Sequence, residues 1–542
     1  MNELLEFDKE TKILIDDLKS VCTNAGLSGD GNEYRVITQA FLYKFLNDKF
    51  LYEVRNIKNL DEKDSVEDFL SKLNNKDYEF LLLQLNENIA KLYPDQLVKH
   101  IFEKQNEKNF SNIFDTNFQN ISINNSEIFS IVTAGGQKVS IFENISKFVE
   151  DDRDNFCVAI INKLVNFSFE KVFDKGFDFF AGIFEYLIKD YNSNSGSTYA
   201  EYFTPHAVSK IISSCLITKK EKNVTCYDPS AGSGTLLMNL AHEIGVNKCS
   251  IFSQDISQKS SHLLRLNLIL NNLVHSIPNV IQGNTISNPY HRLKDNNLKK
   301  FDFIVSNPPF KMDFSDYRDD LDSKENHQRF FAGIPNIPKK KKNSMAIYLL
   351  FFQHIIHSLS DKGKAAVVIP TGFLSAKQGI EPVIKKYLID KELIMGVINM
   401  PSNIFANTGT NVSIIFLNKE EKNKEIIFVD ASELGEEIKQ GKNKKIVLTS
   451  EDETLITETF LNKRTTEDFS ILVDVDKIRE KKYSLNIGRY FKTKINLVKI
   501  SEEEFNSKIK QFKNEYEQIE NESKRMKEKM FESIKDIDFN ND

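Results

Sequence analysis

Three things are scarce in this sequence. Its five cysteines (Cys22, Cys157, Cys215, Cys226 and Cys249) are scattered through 542 residues with no CxxC spacing. That excludes a disulfide framework and a cysteine zinc site, and it fits a reducing, cytoplasmic setting. Positive charge is not in excess: 72 Lys+Arg stand against 78 Asp+Glu, a net charge of −6. A protein that grips nucleic acid unaided carries a net basic face, so any such grip has to come from local patches or from another subunit. Long apolar runs are also missing. The opening stretch, Met1 to Glu6, is acidic and does not read as a signal peptide. The most apolar helix-like stretch, Met345 to Leu359, is broken by Gln353, His354 and His357 and reads as a core helix, not a membrane span. No His/Cys/Asp cluster with metal-ligand spacing is visible.

What is present is ordinary for a globular chain: 40% hydrophobic, 11% aromatic and 28% charged residues, at a length that implies several domains. Residues 1–165 read as a helical domain. Tyr34 to Phe50 repeats apolar residues at three- and four-residue steps, the mark of an amphipathic helix. A second helical stretch, Phe177 to Tyr191, leads into a small polar loop, Asn192 to Thr198. From there the pattern changes. β-rich runs at Val224–Tyr227, Cys249–Gln254, Asn279–Gln282, Phe301–Ser306, Lys364–Ile369, Leu393–Asn399 and Val412–Leu417 alternate with helical segments. That alternation predicts βαβ units in an α/β fold with a mainly parallel sheet, over a domain taken as 166–495. Ligands in such sheets bind at the carboxyl ends of strands, so functional residues are expected just after each run.

Four such positions carry chemistry. Asp228-Pro229-Ser230-Ala231-Gly232-Ser233-Gly234-Thr235 follows the first run and precedes a helix. Glycines there let the backbone pass close to a ligand. The dinucleotide fingerprint is excluded because Leu237 stands at the third glycine position, and the P-loop because no Gly-Lys-Ser/Thr follows. A small adenosine-like ligand without a phosphate chain remains. Asp255 stands about twenty residues beyond the glycines, where an acid can bond both ribose hydroxyls, although it could equally open a helix. Asn284, after Gly283, could bond the ligand's base or simply make a turn. Asn307-Pro308-Pro309-Phe310 is the most specific signal. The prolines stiffen the backbone after a buried strand and hold two acceptors, the Asn307 side chain and the Pro308 carbonyl, toward the crevice. Two acceptors suit the two N–H bonds of a planar exocyclic amine, and Phe310 offers a face on which an extruded base can stack.

On these two motifs the sequence resembles the amino-methylating DNA methyltransferases, and more narrowly the modification subunit of type I restriction–modification systems. Further segments share the likeness. Ala200-Glu201-Tyr202-Phe203-Thr204-Pro205 resembles the family's cofactor-contacting segment, and Arg329-Phe330-Phe331-Ala332-Gly333-Ile334-Pro335 its loop after the catalytic motif. Gly363 to Gly372, Pro401 to Phe405 with Asn407 to Val412, and Tyr483 to Phe491 resemble later motifs. Three positions depart from the family: Asp255 and Ser257 stand where Glu and Asn are usual, and Asn284 where Asp is common.

The resemblance implies a Rossmann-like S-adenosylmethionine-dependent methyltransferase core with a helical N-terminal domain and a C-terminal helix. It implies methyl transfer to adenine N6 in double-stranded DNA, with Asn307, Pro308, Pro309 and Phe310 catalytic. Glu201, Tyr202, Phe203, Thr204, Pro205, Asp228, Pro229, Ser230, Gly232, Ser233, Gly234, Thr235, Asp255 and Asn284 would hold the cofactor, with no metal. A stand-alone adenine methyltransferase of another phage-defence system and a protein glutamine methyltransferase are the alternative readings.

Sequence recognition is missing. About 130 residues follow the last core motif, which ends at Val412, and residues 496–542 are largely one heptad-like helix. Phe505, Ile509, Phe512, Tyr516, Ile519, Met526 and Met530 form its narrow apolar seam, interrupted by Ser523, with a capping-box pattern at Ser501 and Glu504. Such a seam needs a partner helix. Together with the acidic balance it points to a separate specificity subunit, in the family's arrangement of two modification subunits per specificity subunit; an endonuclease subunit is left open, and no membrane contact is expected. The loop Lys311 to Asn343, with Lys339-Lys340-Lys341-Lys342, reads either as a phosphate contact or as a solvated charged loop.

Overall fold

A computed structural model describes residues 2–28, 31–61, 63–173, 182–184, 186–187, 204–405, 411–440, 443–491 and 500–535. Most of the Phe177–Tyr191 stretch, the loop Asn192–Thr198, and the motif residues Glu201, Tyr202, Phe203 and Asn407 to Thr410 lie outside the described residues. Residues Met1–Tyr490 form one compact unit and Phe491–Asp542 a second.

An eleven-stranded sheet organises the first unit. Its strands are β1 (Ile131–Thr133), β2 (Lys138–Val139), β3 (Val224–Asp228), β4 (Cys249–Asp255), β5 (Val280–Gln282), β6 (Phe301–Ser306), β7 (Leu359–Pro370), β8 (Ile394–Asn399), β9 (Val412–Asn418), β10 (Glu425–Asp430) and, after a separate hairpin of β11 (Glu436–Gln440) and β12 (Asn443–Val447), β13 (Ser470–Asp474). The order is β13-β10-β8-β9-β7-β6-β3-β4-β5-β1-β2. Strands β5, β4, β3, β6 and β7 run parallel, whereas β9 runs antiparallel to both β7 and β8. The sheet is therefore mixed, although every strand anticipated from the β-rich runs is present. The near-continuous apolar runs of β6 and β9 follow from burial of both faces under helices.

The N-terminal region is not purely helical. Its β1–β2 hairpin joins the sheet edge, with β1 parallel to β5. Two strands of three and two residues give too short an alternation to register as a pattern in sequence. Arg265, on the helix Gln258–Leu270, fastens this hairpin by donating to the carbonyls of Phe129, Val139, Ser140 and Ile141 at 3.3, 3.0, 2.9 and 3.3 Å. Its guanidinium is buried, and desolvation pulls its pKa down to about 9. Four carbonyl dipoles here replace the carboxylate that a buried cation ordinarily needs.

The helix expected over Tyr34 to Phe50 extends from Gly31 to Lys58 and is buried on nearly all sides. The helix is present as the spacing predicts, and it is central, with the polar residues of Tyr34 to Phe50 also buried or half-buried. The polar residues that look solvent-facing in sequence are paired inside: Lys44 Nζ lies 2.8 Å from Asp48 Oδ1, and Asp48 Oδ2 accepts the Phe169 amide at 2.8 Å. All five cysteines are free and buried. Among the described residues no helix is long and apolar enough to cross a membrane.

In the second unit, the helix Glu502–Lys535 starts with the Glu504 amide donating to Ser501 Oγ at 3.2 Å. Phe505, Ile509, Phe512, Tyr516, Ile519, Met526 and Met530 are 40–69% exposed along it.

Candidate active site at the strand ends

The sequence motifs meet at the carboxyl ends of adjacent strands. β3 pairs with β6, so Asp228 and Ser306 end neighbouring strands, and Ser306 Oγ donates to Asp228 Oδ1 at 2.8 Å. Ser230 closes the link: its amide donates to Asp228 Oδ1 at 2.9 Å, and its hydroxyl lies 2.7 Å from Ser306 Oγ. Pro229 is tied in by Thr285, whose hydroxyl donates to the Pro229 carbonyl at 2.6 Å. The glycine turn and the proline pair thus sit together at the carboxyl ends of two central strands, joined through two serines.

The turn itself needs glycine twice. Gly232 and Gly234 have φ of +52° and +82°, the left-handed region. At Gly234 a Cβ would also lie 2.1 Å from Leu264 Cδ1, so the absent side chain lets the helix Gln258–Leu270 pack close. Asp255, at the end of β4, accepts the Gly232 amide on Oδ2 at 2.9 Å and the Ser257 amide on Oδ1 at 2.8 Å. It therefore ties the glycine turn to Ser257, the residue that caps the helix Gln258–Leu270 by accepting the Ser260 amide at 3.2 Å. Ser233 and Thr235 bond each other through their hydroxyls at 3.1 Å, and Thr235 opens the helix Thr235–Ile244.

Asp228 and Asp255 are both buried, and among the described residues neither has a lysine or arginine partner. Burial pushes the Asp228 carboxyl up to about 7, against the opposing pull of the Ser230 and Ser306 hydrogen bonds, with the Asp255 charge adding to the rise. Desolvation likewise raises Asp255, partly offset by the Ser257 and Gly232 amides. Two buried carboxylates without a cation suit a ligand that brings its own positive charge and hydroxyl groups. S-adenosylmethionine has that chemistry, and it lacks the phosphates for which this turn has no lysine.

Asn307 is half-buried between the buried end of β6 and the buried Pro308 and Pro309. Its Nδ2 donates to Thr204 Oγ1 at 3.2 Å. That bond engages one of the amide's two N–H donors, and Oδ1 is the acceptor. The partnership gives Thr204, 5% exposed just before the helix His206–Leu216, an orienting role that its place in the motif did not reveal. Phe310 is half-buried and meets the Tyr348 ring at 6.4 Å and 79°. Tyr348, unmarked in sequence, is the second aromatic of this corner.

Asn284 makes a turn. Its Oδ1 accepts the Ile286 and Ser287 amides at 2.9 and 3.3 Å, and its Nδ2 donates to the Tyr317 hydroxyl at 3.2 Å. Gly283 beside it lies against the N-terminal hairpin: the Ala134 amide donates to the Gln282 carbonyl at 2.8 Å, and a Cβ on Gly283 would lie 2.5 Å from Ala134 Cβ.

The loop after the proline pair is held by the polar residues that interrupt the apolar helix Tyr348–Ser358. Gln353 Oε1 accepts the Ala332 amide at 2.7 Å, and its Nε2 donates to the Gly333 carbonyl at 3.1 Å. Arg329 Nη1 and Nη2 donate to the carbonyls of Ile286 and Thr285 at 2.7 and 2.6 Å.

An α/β fold of this strand order, carrying these two motifs at neighbouring strand ends, defines a methyltransferase of the N-6 DNA methylase family. The chain belongs to that family, whose model matches residues 175–498. Among individual proteins, it is 31% identical over 374 residues to the type I restriction enzyme MpnII methylase subunit of Mycoplasma pneumoniae, covering 67% of this chain and 65% of that one. It is 28% identical over 397 residues to the type I restriction enzyme MjaIX methylase subunit of Methanocaldococcus jannaschii, covering 70% and 67%. The matches thus span about two thirds of the length of these curated relatives. The fold is that of the crystallised type I restriction-modification system methyltransferase subunit from Streptococcus thermophilus: TM-score 0.71 over 90% of this chain and 99% of that one, at 22% identity.

Proposed function

We propose that this chain is the cytoplasmic methylating subunit of a type I restriction–modification system. It moves a methyl group from S-adenosylmethionine to N6 of adenine in double-stranded DNA, together with a separate specificity subunit. The observation that carries this reading is the hydrogen-bonded junction of Asp228, Ser230 and Ser306, which brings the cofactor turn and Asn307 to one crevice.

When bound, the cofactor supplies an electrophilic methyl on a sulfonium. The residues of this chain do the rest by placement. Asp228 and Asp255 offer compensating negative charge and hydroxyl acceptors, with Gly232 and Gly234 bringing the backbone close and Thr204, Pro205, Pro229, Ser230, Ser233, Thr235 and Asn284 shaping the walls. Glu201, Tyr202 and Phe203 are assigned to the same pocket. Asn307 Oδ1 and the Pro308 carbonyl accept the two N–H bonds of the adenine amine. Both acceptors favour the geometry in which the nitrogen lone pair faces the methyl carbon. Held in this way, the amine would take the methyl that the cofactor supplies, its new N–C bond replacing the C–S bond, and would give up one proton. Phe310, backed by Tyr348, stacks on the extruded base, since a base inside a duplex cannot reach the crevice.

Target reading falls to the partner. The exposed seam on Glu502–Lys535 is the surface proposed to meet it, in an assembly of two such chains per specificity subunit. Burying an exposed side chain of this size contributes about 1.5–3 kcal/mol, so a seam of seven supports stable association after its entropic costs.

The test mixes purified chain, labelled S-adenosylmethionine and unmethylated DNA, with and without the product of the adjacent specificity gene. Label in adenine only when both proteins are present supports the subunit reading. Label with this chain alone favours the stand-alone enzyme. Label in protein glutamine, and none in DNA, overturns both.

A further inference from the structure

We propose that Lys339, Lys340, Lys341 and Lys342 form a phosphate strap that grips the DNA backbone beside the extruded adenine. The inference rests on the DNA-methylating reading and assigns that function's substrate grip to a particular surface.

All four lysines are exposed, and among the described residues none forms an ion pair. Three of the six acids in the same loop are occupied elsewhere. Arg318 pairs with Asp319 at 3.0 Å and with Asp322 at 3.4 Å. Asp313 caps the Ser315 amide at 3.0 Å and is the carboxylate that feels Lys342, secondarily to that cap. The four lysines are therefore gathered side by side at one end of the loop.

The run is also held in place, which a merely solvated loop would not require. Lys341 has φ +64° and ψ +65°, and its carbonyl accepts both the amide and the hydroxyl of Ser344, at 2.9 and 2.7 Å. The Lys342 carbonyl accepts the Met345 amide at 3.1 Å. Met345 is buried in a small separate core with Ile286, Phe314, Phe330, Ile334 and Leu350. Its carbonyl in turn accepts the amide of Met312, two residues beyond Phe310, at 3.1 Å.

Those anchors set the reach. At no more than about 3.6 Å per residue over eight residues, plus about 5 Å across the Met312–Met345 hydrogen bond, the path from Asn307 to Lys342 is at most about 34 Å, one turn of duplex. The near end of the strap thus falls within about one duplex turn of a base held at Asn307. The chain's net charge of −6 does not oppose this contact, because beyond a Debye length of about 8 Å at physiological salt the distant acids are screened. The four local charges dominate within it.

The experiment uses the full chain purified with its specificity subunit and a fluorescent unmethylated duplex. Binding is measured as a function of salt for wild type, for the variant K339Q/K340Q/K341Q/K342Q, and for the same four positions changed to Arg. Each phosphate released from contact lowers the salt slope by about 0.9, so the Gln variant should lose roughly 1 to 3 units of slope, with the Arg variant matching wild type. Methyl transfer at saturating DNA and affinity for S-adenosylmethionine should stay within about twofold of wild type. An unchanged slope in the Gln variant, with wild type methylating DNA, overturns the strap and leaves the functional reading standing. Loss of specificity-subunit binding in place of the slope change also overturns it. Failure of wild type to bind or methylate DNA removes the functional reading itself.

Discussion

Arg329 Nε donates to His354 Nδ1 at 2.9 Å, a buried cation resting on a neutral imidazole. That bond makes Nδ1 the acceptor, so the ring carries its proton on Nε2, which faces the Tyr227 hydroxyl at 3.2 Å. Desolvation and the nearby Arg329 charge hold His354 well below its ordinary pKa, and burial pulls Arg329 down to about 9. The remaining guanidinium nitrogens hold the carbonyls of Thr285 and Ile286. Arg329 therefore joins the loop after Asn307 to the end of β5 and, through His354, to β3.

Replacing Arg329 by Met removes all three bonds and leaves two carbonyls without these donors. A buried unsatisfied group costs about 1–3 kcal/mol, so thermal unfolding should move down by several degrees. Misplacement at the reacting centre should lower kcat about a hundredfold, with a smaller change in S-adenosylmethionine affinity. Equal kcat in the folded variant and wild type would contradict the positioning role.

Asn307→Ala removes an amine acceptor and keeps the cofactor turn. Methyl transfer should fall by about two to three orders of magnitude, while calorimetric binding of S-adenosylmethionine survives. Parallel loss of both would mean that Asn307 does not act on the amine.

Asp228 makes binding and stability depend on pH. Its folded pKa, about 7, lies above the ordinary carboxylate value of 3.8. The folded chain thus holds a proton that the unfolded chain releases. The group's stabilising contribution is fullest below about pH 4, is lost as pH rises toward 7, and levels above that. A cationic ligand favours the ionised form, so S-adenosylmethionine affinity should rise up to tenfold per pH unit below 7 and then flatten. Titration calorimetry should find about one proton released near pH 6. Asp228→Asn should abolish the proton release.

Gly283→Ala forces a methyl group into Ala134, where only 2.5 Å is available. Overpacking of this kind costs about 1–3 kcal/mol. The second change Ala134→Gly makes room and should restore much of the loss. A double-mutant cycle in urea denaturation measures that coupling, and additive losses would mean that the hairpin does not bear on Gly283.

The site was legible where chemistry and local geometry coincide. Asp228 to Thr235 and Asn307 to Phe310 each follow an apolar run, so sequence alone places them at strand ends. Pairing of β3 with β6 then follows from the order of strands in a sheet of this class. What stayed hidden depends on long-range contacts. For Arg265 and Arg329, only the fold supplies the backbone carbonyls that accept them. Gln353 and His354 look like interruptions of a core helix, yet they hold the loop Arg329–Gly333. The central helix Gly31–Lys58 misleads for a related reason. Lys44 and Asp48 are one helical turn apart, as on a wet face, and the pair is inside.

The parallel pairing of Val132 with Ile281 has a cost during synthesis. About 150 residues separate the two, so the nascent helical region emerges from the ribosome with one side of β1 unmatched until the middle of the chain arrives. At translation speeds of about 5–20 residues per second that interval lasts many seconds. Over that time the bare strand and its apolar surroundings are open to wrong partners, which makes this chain a natural client for a co-translational chaperone and makes its first third a poor candidate for independent expression.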